Sequence, residues 1–128
     1  MKIPVGFLYT KEHQWVKVEG NMAYIGITDY AQSVLEDIIY LELPEEGAEL
    51  KKGESRLGVV ESVKTSFDIC CILDGVVEAV NEALTDDPGA MNDNPYDNWL
   101  VKMKISDTKQ LEELLSGGEY KTYCDSIS

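Results

Sequence analysis

A single histidine, His13, is all that this chain offers to a multi-histidine metal centre or to the base of a Ser-His-Asp arrangement, so neither can be assembled freely. No phosphate-cradling glycine loop is present: Gly117-Gly118 lacks a following Lys-Ser/Thr pair, and the other glycines are scattered among turns. Positive charge is scarce. Eleven Lys and Arg stand against 24 Asp and Glu, and the formal charge of −13 repels phosphate backbones and anionic bilayers, which argues against nucleic acid and membrane surfaces as partners. No apolar run approaches the length of a membrane span, and Met1 to Tyr9 lacks the apolar core and cleavage site of a signal peptide, so a cytoplasmic location is expected. Cysteine is sparse too: Cys70, Cys71 and Cys124 cannot all pair within one chain, and the C-x-x-C spacing of a redox dithiol is missing. Neighbours on a strand face opposite ways, so reduced thiols with one of Cys70 and Cys71 buried and the other exposed are expected. Carboxylates are plentiful, but on so acidic a surface they read as solvation and not as a hydrolytic pair. These absences argue against a catalytic site.

What is present is a strand-rich pattern in a chain of 128 residues, a length that fits one domain with a core needing no staples. Its charge suits a soluble monomer that meets basic patches on its partners, or serves solubility alone. Trp15 to Val18 and Met22 to Ile27 read as a hairpin about Glu19-Gly20-Asn21. Asp29 is expected to cap a short helix in which Tyr30 or Ala31, with Val34 and Leu35, supplies the apolar face, packed over a sheet edge. Ile38 to Leu43 reads as a strand ending at Pro44, before turns at Gly47 and Gly53. After the reversal Leu73-Asp74-Gly75, Val76 to Val80 reads as another strand. The polar stretch Asn81 to Asn98 is expected to be a mobile surface connection with at most one helical turn. Leu100 to Ile105 alternates as a half-exposed strand, and Asp107 with Gln110 opens a predicted helix over about 107–116 that Gly117-Gly118 stops. A further short helix over Glu119 to Cys124 and a frayed Asp125 to Ser128 complete the reading.

The chain is organised around Lys64. Two β-rich arms, together spanning about 57–72, flank a centre without Gly or Pro, which places Lys64 at or beside a compact reversal. Within ten residues on either side the only other basic residue is Arg56. From spacing alone the lysine reads as a solvated turn residue that guards a hairpin against aggregation. The words Glu61-Ser62-Val63-Lys64, Ile27-Thr28-Asp29-Tyr30-Ala31-Gln32 and Glu42-Leu43-Pro44 change that reading, because together they resemble the H protein family of the glycine cleavage system, a likeness running from about Tyr9 to Tyr123. In that family the lysine of the E-S-V-K motif carries lipoate in amide linkage, so the resemblance implies N6-lipoyllysine at Lys64. A long stem on a fixed hairpin would give the tethered group a high local concentration at each partner, and amide formation would remove the ammonium charge.

The resemblance further implies a mainly β fold: a flattened β-sandwich of two similar sheets, the barrel-sandwich hybrid of lipoyl and biotinyl carriers, with a few short helices, notably near the C-terminus. It implies a carrier without catalysis of its own, moving the aminomethyl group of glycine from a pyridoxal-phosphate glycine decarboxylase (P protein) to a folate-dependent aminomethyltransferase (T protein). Dihydrolipoyl dehydrogenase (L protein) reoxidises the arm, and a lipoate ligase or lipoyltransferase installs it. Glu61, Ser62 and Val63 match the attachment motif, Asp68 the acidic position after it, and His13 with Trp15 the early H-x-W, which implies arm or partner recognition. Asn92, Pro95, Tyr96, Trp99 and Leu100 match a later pattern. For His13 a packing role beside Trp15, and for Asp68 a turn-end cap, stay open. Several positions depart from the family. Gln14 stands where Glu is usual and bears on the arm's docking site. Glu36 replaces a turn glycine, Ile72 a proline, and the Tyr96 to Trp99 connection is a residue short; these three are expected to touch local backbone only. A biotin carrier is disfavoured because Val63 and Thr65, not methionines, flank the lysine. The alternative is an H-like paralogue serving lipoate relay or another redox system.

Overall fold

The computed structural model describes residues 1–127, which form two antiparallel sheets around a shared apolar layer. The strands are β1 (Leu8–Tyr9), β2 (Gln14–Glu19), β3 (Met22–Ile27), β4 (Ile38–Glu42), β5 (Glu49–Leu50), β6 (Arg56–Ser62), β7 (Ser66–Cys70), β8 (Gly75–Val80) and β9 (Val101–Ile105). Four helices, α1 (Asp29–Leu35), α2 (Ala83–Asp86), α3 (Ala90–Asp93) and α4 (Gly117–Ile127), and a 3-10 segment over Thr108–Glu113 decorate them. The expected mainly β sandwich with short helices, one near the C-terminus, is met. Its two sheets are not similar, however: one has six strands in the order β1-β2-β3-β9-β8-β5, the other three in the order β4-β6-β7. The N-terminal hairpin and β9 join the β5–β8 pair, so only the strands around Lys64 form the small sheet.

Period-two alternation explains how β2 serves two cores at once. Val16 points into the layer between the sheets with Ile25, Ile27, Leu57, Val60, Ile69 and Met103. Trp15, its neighbour in sequence, points the other way into an aromatic cluster with Tyr9, Tyr120 and Cys124, flanked by Phe7, Tyr24, Tyr96 and Trp99. Trp15 lies flat across β3 because its cross-strand partner is Gly26; a Cβ there would stand 2.6 Å from the indole ring. The indole Nε1–H donates to the Pro95 carbonyl at 3.0 Å.

Four local expectations need correction. The cap of α1 is Thr28, whose hydroxyl accepts from the Ala31 amide at 3.2 Å, with Asp29 one step inside the helix; Val34 is exposed, so the buried face is Ala31 and Leu35. The connection from Asn81 to Asn98 carries two helical turns and is pinned, because Leu84 and Met91 are buried and the Asn92 side chain bonds Ile38, Gln32 and Glu36. The predicted helix over 107–116 is only the 3-10 segment; Asp107 opens it as expected, but the Gln110 side chain accepts from the Asp74 amide at 2.8 Å and does not complete a capping box. Gly117-Gly118 begins α4 where it was expected to stop a helix. Ser116 and Glu119 form a reciprocal capping box across the glycines, at 2.9 and 3.2 Å, and Tyr120 with Cys124 buries one face. That burial outweighs the poor helix propensity of the two glycines. Asp125 to Ile127 belong to α4, and Ser128 lies outside the described residues.

Candidate functional site

The β6–β7 hairpin pairs Glu61 with Ser66, Val60 with Phe67 and Val59 with Asp68. β6 lies close beside β4 because Gly58 has no side chain; a Cβ there would come within 2.3 Å of the Glu42 carbonyl. The tip is Ser62-Val63-Lys64-Thr65, and one hydroxyl organises it. Ser62 Oγ accepts from the amides of Lys64 (3.1 Å) and Thr65 (3.2 Å) and donates to the Thr65 carbonyl (3.3 Å), while the Ser62 amide donates to that same carbonyl at 2.7 Å. The Val63 amide donates to the Asp37 carbonyl at 3.0 Å, which ties the tip to the α1–β4 connection. A tip with this many internal bonds holds its backbone still and leaves the Lys64 stem free; the side chain is 55% exposed.

Lys64 Nζ lies 3.4 Å from Glu36 Oε1. Both groups are solvated, so the pair contributes at most about 1 kcal/mol. Glu36 was expected to affect backbone geometry alone, and the structure corrects this: among the described residues, its carboxylate is the one acid paired with Lys64. Its backbone sits at φ 63°, ψ −143°, a region that favours glycine, so the local backbone is affected as expected and the contact with Lys64 comes in addition. No motif signalled the contact, since it joins positions 28 residues apart.

The other candidate residues lie along the strands and at the far end of α1. Glu61 is exposed on β6 between Tyr40 and Ser66. Asp68 is exposed on β7, 3.5 Å from Arg56 Nη1. His13 stands at the opposite end of α1 from Glu36. Its ring stacks on Tyr30 (4.4 Å between centroids), and its Nδ1 is 2.8 Å from the Tyr120 hydroxyl, which in turn bonds Thr28 Oγ1 at 2.7 Å. Burial holds the His13 pKa below its usual value, with the nearby Glu12 charge opposing. The six steps from Tyr30 to Glu36 rise about 9 Å along the helix, so His13 and Lys64 contact opposite ends of α1.

Ser66, Asp68 and Cys70 face outward along β7, and Phe67 and Ile69 face inward. This outward stripe leads from the tip to an open cleft of about 350 Å³ lined by Thr10, Glu12, Cys70, Ile72 and Leu114 among others. Cys70 is exposed and Cys71 buried, as expected. Behind the cleft lies Gln14, only 2% exposed, whose Nε2 donates to the Cys70 carbonyl at 3.1 Å and bridges the two sheets, while its Oε1 has no hydrogen-bond partner.

The arrangement offers an accessible amine at the tip of a fixed hairpin, with an open cleft at the far end of β7, and such an amine suits an acyl group in amide linkage. The family described as glycine cleavage H-protein matches residues 7–127. A glycine cleavage system H protein from Thermoanaerobacter sp. (strain X514) is 50% identical over 125 residues, 98% of each chain. One from Staphylococcus epidermidis is 50% identical over 121 residues, 94% of this chain and 95% of that one. The crystal structure of a glycine cleavage system H protein from Mycobacterium marinum superposes with a TM-score of 0.87 at 32% identity, covering 96% of this chain and 99% of that one. With the hairpin, the two sheets and the sequence all agreeing, the chain belongs to the glycine cleavage H-protein family.

Proposed function

We propose that this chain is the lipoyl carrier of a glycine cleavage system, a carrier component and not a catalyst, with Lys64 as the attachment point. The observation that carries the reading is the Lys64 amine, half-exposed on a hairpin tip whose backbone is bonded to Ser62 and Asp37 and which bears the motif Glu61-Ser62-Val63-Lys64. When attached, the lipoyl group supplies a dithiolane able to take up the aminomethyl unit of glycine from a pyridoxal-phosphate decarboxylase, deliver it to a folate-dependent aminomethyltransferase, and be reoxidised by dihydrolipoyl dehydrogenase. The protein's own part is positional. Ser62 and the Asp37 carbonyl fix where the tether starts, and the outward stripe Ser66, Asp68, Cys70 runs from it toward the cleft, whose lining carries the polar and charged side chains of Thr10, Lys11, Glu12, Lys52 and Glu113. The carrier works as a single unit across the chain, in the cytoplasm and as a monomer; among the described residues no helix is long and apolar enough to cross a membrane.

The test is incubation with lipoate, ATP and a lipoate ligase, followed by peptide mass spectrometry. All added mass is expected on Lys64, and none on a Lys64→Arg variant whose stability stays within about 0.5 kcal/mol of the parent. Modification that survives in that variant overturns the assignment. A lipoylated protein that a glycine decarboxylase cannot load favours the lipoate-relay paralogue, the reading that Gln14 and Glu36 keep alive.

A further inference from the structure

For so acidic a protein, the surface beside Lys64 is unusually apolar. β4 pairs with β6 through Ile38 and Ser62 and through Tyr40 and Glu61, and the register shifts between Ile38 and Tyr40. The extra residue in this bulge turns two consecutive side chains outward, leaving Ile39 59% and Tyr40 45% exposed. Val63 at the tip is 60% exposed, and Val34 on the last turn of α1 is 54% exposed. Seven large apolar side chains are exposed among the described residues, and the other three, Met1, Val5 and Ile127, lie near the ends of the chain. The four internal ones gather at one place. Val63 precedes Lys64, Val34 and Ile39 flank Glu36, and the Val63–Asp37 hydrogen bond closes the tip onto the segment that carries them. Isolated exposed apolar residues need no explanation, but a group of four beside one functional side chain does.

Lys64 apart, the charge around the group has one sign. Glu36, Asp37, Glu42 and Glu61 are exposed along it, and no lysine or arginine occurs between Val18 and Leu50. The complementary surface is an apolar depression with a basic rim. We infer that this bulged patch is where the enzyme that acylates Lys64 docks; the inference rests on Lys64 being the attachment point. The tether decides between partners. Enzymes that act on the finished arm react at its far end, and Nζ itself takes no part in their chemistry. The acylating enzyme must bring Nζ itself to within about 3–3.5 Å of an activated carboxyl carbon, which forces the flanking surface into its footprint. In that step Nζ attacks the carbonyl carbon of a lipoyl-adenylate made from lipoate and ATP. The amide C–N bond forms, the C–O bond to phosphate breaks, AMP leaves with the electron pair, and the two protons lost from the ammonium pass to solvent. Glu36 gives up its ion pair as the charge disappears.

The experiment compares the parent with Val34→Ser and with the double variant Ile39→Thr, Tyr40→Thr, using Val5→Ser as a control outside the patch. These positions are solvated, so thermal midpoints within a few degrees of the parent verify folding. With lipoate, ATP and a lipoate ligase, kcat/KM for modification is expected to fall at least about ten-fold in both patch variants, mainly through KM, and to be unchanged in Val5→Ser. After prolonged incubation to full modification, loading of the same variants by glycine decarboxylase is expected to change less than about three-fold. Unchanged modification rates in a parent that is lipoylated overturn the inference alone. Equal losses in both steps overturn the choice of the acylating enzyme as occupant. A parent that takes no lipoate at all overturns the lipoyl-carrier function together with this inference.

Discussion

Removing a single oxygen from the hairpin tip, by Ser62→Ala, tests whether the tip's order is what makes Lys64 usable. The Ser62 hydroxyl takes part in three hydrogen bonds, accepting two amides and donating to one carbonyl, and the residue is buried. A net hydrogen bond contributes about 1 kcal/mol, and a fully orphaned buried donor costs more. Here Lys64 and Thr65 are exposed, so water can reach part of what the hydroxyl leaves. The Thr65 carbonyl also keeps its bond from the Ser62 amide. The expected loss is therefore about 1–2 kcal/mol and not the sum of three bonds, with an unchanged urea m-value. For a domain of this size that lowers the thermal midpoint by on the order of 4–8 °C. Lipoylation should slow as well, because the tip would sample conformations in which Lys64 is misplaced, whereas Ser62→Thr, which restores the hydroxyl on a β-branched residue, should recover both properties. Urea titrations and initial rates of lipoate transfer measure the two effects. If Ser62→Ala matches the parent in stability and rate, the Ser62 amide and the Asp37 carbonyl hold the tip by themselves, and the hydroxyl does not organise it.

Gln14→Glu should destabilise the protein by about 1–3 kcal/mol, because a carboxylate cannot donate to the Cys70 carbonyl and the site is closed to water. Burial raises a glutamate's pKa, so the penalty should be small well below a glutamate's ordinary pKa of about 4.3, where both states are protonated, and grow as the pH rises toward 8; a pH-independent difference would refute this. In the lipoylated protein the same variant should retain a glycine-loaded arm longer in the absence of transferase, and equal lifetimes would mean that position 14 does not hold the arm. His13 has a lowered pKa from burial, so its contribution to stability is full above about pH 6.5 and is lost as the pH falls through the folded-state value. His13→Asn, which tolerates the positive φ of 65° at this position, should remove that slope, as urea midpoints at about pH 5 and 7.5 would show. With a formal charge of −13, association with a decarboxylase should slow as salt shortens the screening length from about 30 Å to about 8 Å, and a rate independent of salt would assign the charge to solubility.

The attachment motif and most strands were legible in the sequence because both are local. Alternation over Trp15 to Val18, Met22 to Ile27 and Leu100 to Ile105 reports a pleated strand wherever it occurs, and E-S-V-K is read from four adjacent letters. Cys70 and Cys71 were sorted into exposed and buried by the same period of two. Helix ends were less legible, since they turn on competition between local signals and burial. Gly117-Gly118 carries a stop signal by propensity, yet Ser116, Glu119 and the burial of Tyr120 and Cys124 make it a start. Asn81 to Asn98 looks like a loose connection until Leu84 and Met91 find the core.

What tertiary structure alone decided is how the surroundings of Lys64 are assembled. Nothing in the spacing of Glu36 and Lys64 says that their side chains meet, nor that the Asp37 carbonyl closes the hairpin tip. Nor does it say that Gln14, a departure that the family resemblance places near the arm, lies buried as a bridge between sheets with one oxygen left over. The bulge in β4 is of the same kind: Ile38 to Leu43 reads as a strand with a buried face, and only its pairing with β6 turns Ile39 and Tyr40 together toward solvent. The sequence determined that there is a lysine on a hairpin and what chemistry its motif implies. Which acid pairs with it, which apolar residues surround it and which cleft lies within reach depend on contacts between distant segments, and these form only when burial brings two sheets together.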